Sequence, residues 1–126
     1  MRHCSALLEP IDLAEVPVAK RIPGFYLKSK KQYPEYFAAL EALGEAARKA
    51  GPLDAKTVHL IQLAAAAAMR SEGSVHSHTR RAREAGASPE EIRHALIAVT
   101  STIGFPTVTA ALSWVDDVLE SRPAKG

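Results

Sequence analysis

The sequence predicts an all-α fold of about five to six helices, and three observations support this class. Apolar residues recur three and four positions apart over most of the chain, helix-start and helix-stop signals separate these segments, and no segment alternates apolar and polar residues as a strand would. The chain has 126 residues, which is the size of one ordinary domain with a real core. We expect an N-terminal arm over residues 1–33 and a helical domain over residues 34–122.

The first part of the chain divides at Pro34. Before it, short apolar clusters are interrupted by Pro10, Pro17 and Pro23. This pattern prevents one long helix and predicts a wrapping arm. After Pro34, apolar residues at helical spacing predict an amphipathic helix with a buried stripe, at Phe37, Leu40, Leu43 and Ala47. The pair Gly51-Pro52 ends this helix.

Capping residues mark the helices that follow. Asp54 is a typical N-cap for a helix that runs to Met69, and its five consecutive alanines indicate close contact with neighbouring helices. A shorter helix is predicted from about Ser74 to Ala85, with Gly86 at its C-terminal end. Ser88-Pro89-Glu90-Glu91 predicts a capping box, followed by one apolar stripe from Ile92 to Ile103. The last helix follows Pro106 and extends to Leu119.

Composition excludes several classes of function. The formal net charge is +2, from 16 basic and 14 acidic residues, so we expect no nucleic-acid partner. The longest apolar stretch, Leu63 to Met69, is too short to cross a bilayer, so we predict a soluble, cytoplasmic protein without a membrane partner. Cys4 is the only cysteine, which excludes an internal disulfide and a redox-active thiol pair.

One short segment concentrates the polar groups that chemistry needs. Residues 70–78 read Arg-Ser-Glu-Gly-Ser-Val-His-Ser-His and follow directly after the alanine-rich helix. This segment lies within a longer pattern that includes Leu53-Asp54-Ala55-Lys56-Thr57, Ala82-Arg83-Glu84-Ala85-Gly86-Ala87, Glu90-Glu91-Ile92 and Gly104-Phe105-Pro106. Over residues 52–119 the chain resembles the carboxymuconolactone decarboxylase and alkyl hydroperoxidase D-like proteins. The resemblance implies an all-α fold that assembles as a homotrimer or homohexamer.

The chain departs from the redox-active relatives at their motif. Those relatives carry Cys-x-x-Cys-x-x-x-His with a glutamate twelve residues before the first cysteine. Here Ser71 and Ser74 occupy the cysteine positions, His78 matches the histidine, and His59 stands at the glutamate position. Peroxide reduction needs an attacking thiolate and a second sulfur that resolves the sulfenic acid, and serine supplies neither. Thiol peroxidase activity, which the family name suggests, is therefore disfavoured.

Two interpretations of the segment remain open. In the functional one, His78 is a general acid or base, His59 is a second proton carrier, and Ser71 and Ser74 hydrogen-bond a substrate. Further substrate-binding candidates are His76, Glu72 and Arg81. In the structural one, the serines cap a helix and the histidines satisfy each other or backbone carbonyls.

No metal or other cofactor is predicted. His59, His76 and His78 offer imidazoles, but no carboxylate or thiolate has diagnostic spacing with them. On a helix, His76 and His78 point about 200° apart, so we expect His76 to face solvent or a subunit neighbour.

Two classes of function follow. The first is a cofactor-free enzyme of lyase type that transfers a proton on a small organic acid or lactone, as the decarboxylase branch of the family implies, with His78 as proton carrier. The second is an oligomeric binding or scaffold protein that kept the fold without the chemistry.

Overall fold

A computed structural model describes residues 24–120, and its regular structure is entirely helical within that range. The helices are α1 (Gly24–Gln32), α2 (Pro34–Arg48), α3 (Ala55–Ala68), α4 (Glu72–Glu84), α5 (Pro89–Ile97), α6 (Thr100–Ile103) and α7 (Phe105–Leu119). The predicted all-α class is confirmed. Between Gly24 and Leu119 each helix is too short or too polar to span a membrane.

The end of the predicted arm is helical. Most of the arm lies outside the described residues, but α1 begins at Gly24, directly after Pro23. No proline interrupts the chain again before Pro34, so a short helix can form there.

Side-chain caps begin three of the helices. Asp54 Oδ1 accepts a 2.8 Å hydrogen bond from Thr57 N at the start of α3. At α5, Ser88 Oγ accepts from Glu91 N at 3.0 Å, and Ser88 N donates to Glu91 Oε1 at 2.9 Å. These bonds confirm the predicted N-cap and capping box, and each satisfies amide donors that have no partner inside the helix.

The hydrophobic core lies where α3, α4, α5 and α7 meet. Helix α4 packs against both α3 and α7, and α5 also contacts α3 and α7. The fully buried side chains include Leu63, Val75, Ile92, Leu96 and Val115. Ala67 of α3 and Ala82 of α4 are also fully buried, and such short side chains let helix axes approach closely. The predicted burial of the alanine-rich helix holds on its Leu63–Ala67 face, whereas Ile61 is 51% exposed.

Helix α2 differs from the prediction, because most of its apolar stripe is exposed. Phe37 is buried, with its ring edge-on to those of Tyr26 and Tyr36 at centroid distances of 5.4 and 5.3 Å. Leu40 is 46% exposed and Leu43 is 66% exposed. Among residues 24–120, the main packing partner of α2 is the short helix α1.

The predicted continuous stripe from Ile92 to Ile103 is also interrupted. The chain leaves the helix at Ala98 and Val99 and forms one further turn as α6. Thr100 Oγ1 donates a 2.7 Å hydrogen bond to Ile97 O at the break. A run of β-branched and hydroxyl side chains, Val99 to Ile103, favours such an interruption because it restricts χ1 and competes for backbone carbonyls.

The end of α4 provides a stability test with a matched control. Gly86 has a φ of 101° just after α4, a conformation that L side chains rarely adopt, whereas Gly73 lies in the first turn of α4 with open space around its Cβ position. Gly86→Ala should lower the free energy of unfolding by about 1–2 kcal/mol. Gly73→Ala should leave it unchanged or raise it by up to about 1 kcal/mol. Urea unfolding of both variants checks this, and equal effects would contradict the assigned turn.

Candidate functional site

Two histidines from neighbouring helices face each other. His59 lies on α3 and His78 on α4, and their ring centroids are 6.1 Å apart with the planes tilted by 37°. His59 is only 8% exposed, and His78 is partly buried. The expectation that His59 approaches His78 from the preceding helix agrees with this geometry.

The connection between α3 and α4 fixes this arrangement. Arg70 adopts a φ of 56°, and Ser71 N donates to Ala66 O at 3.1 Å, which closes the end of α3. The Arg70 guanidinium donates a 2.9 Å hydrogen bond to Thr107 Oγ1 on α7. This left-handed residue allows a tight reversal, so that α4 begins at Glu72 and packs back against α3.

The two histidines line a cleft of about 640 Å³ between α2, α3 and α4. Its charged and polar walls are formed by Glu41 and Arg48 of α2, His59 and Gln62 of α3, and His78, Arg81 and Glu84 of α4. Leu40 and Gly44 of α2 add an apolar part. This lining is more polar than that of most small-molecule sites, and it therefore suits a polar or charged ligand.

Within residues 24–120, three buried polar atoms around this cleft have no hydrogen-bond partner. They are His59 Nδ1, Gln62 Oε1 and His78 Nδ1. A buried polar group without a partner destabilises a fold by about 1–3 kcal/mol. All three atoms belong to residues that line one cleft, whereas the fully buried polar side chain of Thr79 donates a hydrogen bond to Val75 O. This contrast marks the cleft as a candidate functional site.

The surroundings of the two imidazoles favour their neutral forms. Burial, followed by the positive charges of Arg81, His59 and Arg48, lowers the pKa of His78 to about 4. Burial also lowers the pKa of His59, with Arg48 and Arg81 acting in the same direction and the Gln62 side chain partly opposing them. At neutral pH both rings are therefore uncharged, so one nitrogen of each can accept a proton.

The two serines of the motif lie apart from the histidine pair. Ser71 is the N-cap of α4, and its hydroxyl accepts a hydrogen bond from Ser74 N at 3.4 Å. Both serines line a second cleft of about 550 Å³, together with Ser77, Lys30, Arg80 and Arg81. The predicted four-residue cluster is thus divided between two clefts. Ser71 precedes the first residue of α4, and Ser74 lines the second cleft although it lies four residues before His78 on the same helix. Arg81 lines both clefts.

His76 and Glu72 line neither cleft. The Asp117 carboxylate of α7 accepts a hydrogen bond from His76 Nε2 at 3.0 Å, and Glu72 Oε2 lies 4.0 Å from the same nitrogen. Their predicted role in binding a substrate beside His78 is therefore not supported by their positions. The physical reason is the 200° turn that separates His76 from His78 on α4. The same turn directs His76 away from His78 and its neighbour His59, the two histidines with which it was considered as a possible metal ligand.

Comparison with known proteins identifies the family. A profile described as "Carboxymuconolactone decarboxylase family" matches residues 34–117. The chain belongs to the carboxymuconolactone decarboxylase family. The fold is similar to the crystal structure of a carboxymuconolactone decarboxylase family protein from Legionella pneumophila in its apo form, with a TM-score of 0.70 and 28% identity, covering 86% of this chain and 95% of that one.

A curated relative matches a shorter region of this family member. The chain is 47% identical over 52 residues to an uncharacterized protein from Haemophilus influenzae. The match covers 41% of this chain and 46% of that protein, so it spans less than half the length of the relative. The resemblance inferred from the sequence motifs is confirmed at the level of the family and the fold.

Sequence patterns alone missed Arg48 and Gln62 in the cleft of this carboxymuconolactone decarboxylase family protein. Gln62 follows His59 by three positions on α3, so its shared face was visible in the helical periodicity. Arg48 lies in the last turn of α2, and no sequence signal connects that turn to α4. Its place beside the histidines depends on how α2 packs, which a single sequence does not reveal.

Because the pKa of His78 is lowered in the folded chain, the free energy of unfolding should depend on pH. The unfolded chain binds this proton near pH 6.5 and the folded chain only near pH 4, so between these values unfolding takes up a proton. Stability should therefore fall as the pH is lowered through this window, and His78→Gln should remove part of the fall. Urea unfolding in metal-free buffer at several pH values measures it. The control His94→Gln, at an exposed position on α5, should keep the wild-type slope; identical slopes in both variants would show that His78 titrates normally.

Proposed function

We propose that the His59–His78 cleft carries out cofactor-free acid–base chemistry on a small organic acid or lactone, with His78 as the proton carrier. The observation that carries this proposal is the pair of facing imidazoles whose pKa values are lowered by burial and by the two guanidinium groups that line the same cleft. Membership in the carboxymuconolactone decarboxylase family agrees with this class of substrate and reaction.

His78 is neutral at pH 7 and can accept a proton, and an anionic substrate beside it would raise its pKa toward the range of an effective general base. A carbon next to a carboxylate or lactone carbonyl loses its proton to the imidazole, and the electron pair passes toward the carbonyl oxygen. The imidazolium that forms is disfavoured by burial and by Arg81, so an anionic substrate beside it compensates the new charge. The same imidazolium then returns the proton to another carbon of the conjugated enolate, which completes an isomerisation and leaves the enzyme unchanged.

The two arginines supply a site for the substrate's carboxylate. Arg48 and Arg81 line the cleft from different helices, and both influence His59 and His78 electrostatically. A guanidinium group can bind a carboxylate through two parallel hydrogen bonds, which fixes the orientation of the bound molecule. Gln62 and His59 then offer neutral hydrogen-bonding groups to the remaining oxygens of the substrate.

A binding or scaffold protein is the second candidate function. The N-cap bond of Ser71 favours it, because this residue has a structural task at the position of a redox cysteine. Under this alternative the cleft binds an anion without changing it. Thiol peroxidase activity is a third and weaker candidate, because neither Ser71 nor Ser74 can form a sulfenic acid.

Replacement of His78 separates these candidates. His78→Gln should lower turnover of a carboxylate-bearing lactone by at least about 100-fold, since general-base catalysis contributes at least that much. The assay screens a panel of such lactones with and without a carboxylate and follows substrate loss by chromatography. His94→Gln is the matched control and should retain full activity. Binding without turnover by the wild type would support the scaffold function and refute the catalytic one.

Replacement of Arg48 tests how the substrate is held. Arg48→Gln should raise KM for carboxylate-bearing substrates by about tenfold or more, because a charge-assisted hydrogen bond contributes roughly 1.5–3 kcal/mol. Arg83→Gln is the control, since Arg83 lies on α4 but outside the cleft and donates to Ala87 O. An unchanged KM in Arg48→Gln would remove this arginine from the site.

We also propose that the chain forms a homo-oligomer, a homotrimer or homohexamer, through the exposed face of α2. Tyr36, Leu40 and Leu43 follow each other at intervals of four and three on this helix, and they are 64%, 46% and 66% exposed. Adjacent exposed apolar side chains on one helical face are typical of an interaction surface. The cleft lies beside this face, because Leu40 belongs to both.

A charge on this face should prevent assembly. Leu43→Glu should shift the protein to a smaller species in size-exclusion chromatography with light scattering, because a carboxylate cannot be buried there without a partner. Ala38→Glu is a suitable control, since Ala38 is exposed about 200° away from Tyr36 around the helix. A wild-type monomer, or equal effects of both substitutions, would refute this interface.

A further inference from the structure

A second cluster of chemically active side chains lies outside both clefts. It consists of Glu72 and His76 on α4 and Asp117 on α7, and one ligand atom from each lies within 4.8 Å of the other two. His76 Nε2 is 3.0 Å from Asp117 Oδ2 and 4.0 Å from Glu72 Oε2. The function proposed above uses none of these groups.

The distances fit a shared cation. Two ligand atoms on one tetrahedral zinc ion lie roughly 3.4 Å apart, given metal–ligand bonds of about 2.0–2.2 Å. The observed 3.0 and 4.0 Å separations bracket this value. Glu72 and Asp117 offer ligand atoms within 4.8 Å of each other, and at 4.0 Å Glu72 Oε2 is too far from His76 Nε2 for a hydrogen bond, so its carboxylate can still bind an ion.

The charges in the cluster also favour a cation. Within residues 24–120, neither Glu72 nor Asp117 forms a salt bridge with lysine or arginine. The neighbouring Asp116 differs, because Arg93 pairs with it at 2.8 Å. Two carboxylates converge on one imidazole, and a divalent ion would neutralise both.

The two helices hold the three side chains on a firm base. Glu72 and His76 are four residues apart on α4 and therefore share one face. The residues around His76 that anchor α4, Val75 and Thr79, are fully buried, and Val115 of α7 is buried near Asp117 in sequence. The side chain of His76 is 22% exposed, so an ion can reach it from solvent. A water molecule can then occupy the fourth coordination position of that ion.

We propose that Glu72, His76 and Asp117 bind a divalent transition-metal ion of the zinc type and so connect α4 to α7. Imidazole favours zinc over magnesium and calcium, and two carboxylates complete a three-ligand site. On binding, the Nε2 proton of His76 moves by exchange with solvent to Nδ1 of the same ring, and the hydrogen bond with Asp117 is replaced by one metal–ligand bond from each residue. The ion stabilises the fold at a place separate from the His59–His78 cleft.

Calorimetric titration with zinc chloride tests this site in the full chain. The Cys4→Ser variant serves as the reference protein, so that the thiol does not compete for zinc. It should bind one zinc ion per chain and unfold at a higher temperature when zinc is present. His76→Gln and Asp117→Asn should each weaken zinc binding by about tenfold or more and abolish this thermal shift. Excess magnesium should not compete.

Two further variants decide where zinc binds. His94→Gln removes an exposed histidine from α5 and should bind zinc as the reference protein does. His78→Gln should also keep zinc binding, because the ring of His78 belongs to the cleft. The proposal is wrong if His76→Gln binds zinc with unchanged affinity, or if His78→Gln is the variant that loses it. Unfolding of each variant in the presence of a chelator confirms that its metal-free fold is intact.

Discussion

The close packing of α3 against α4 is the constraint on which the rest of the structure depends. Small and medium side chains fill this contact, with Ala67 and Leu63 on α3 and Val75 and Ala82 on α4 all fully buried. The tight reversal at Arg70 joins the two helices. The same packing removes His59 and His78 from water and holds their rings 6.1 Å apart. The contact between α3 and α4 therefore forms both the core and the site.

Burial explains why the site is both chemically useful and destabilising. A buried imidazole near two arginines gives up its proton readily, so the cleft holds neutral bases at a pH where a free histidine is partly charged. Gln62 Oε1 and one nitrogen of each imidazole have no partner among residues 24–120, and a buried polar group without a partner opposes folding. The apolar core under the cleft, with Ile92 and Leu96 fully buried, offsets this effect. Perturbed and unpartnered groups of this kind are common at functional sites.

Local sequence signals predicted the helices well, and they predicted the arrangement between helices less well. The caps at Asp54 and Ser88 depend on neighbours in the chain, so they were visible in the sequence. The division of Ser71 from His78 depends on where α4 begins, and helix ends are set by cap geometry that periodicity does not reveal. Arg48 and the exposed Leu43 depend on how α2 sits against the body, which no local pattern encodes. Family membership was readable because its motifs keep their order along the chain.

We propose that the polar groups of the His59–His78 cleft bind an anionic small molecule. The most direct test is nitrogen-15 NMR of the imidazoles at pH 7, before and after addition of a carboxylate-bearing lactone. We expect the rings of His59 and His78 to be neutral at pH 7. Addition of the lactone should shift their nitrogen resonances and leave those of His94 unchanged. If both rings are protonated at pH 7, or if no lactone or carboxylate moves them, the cleft is not the functional site.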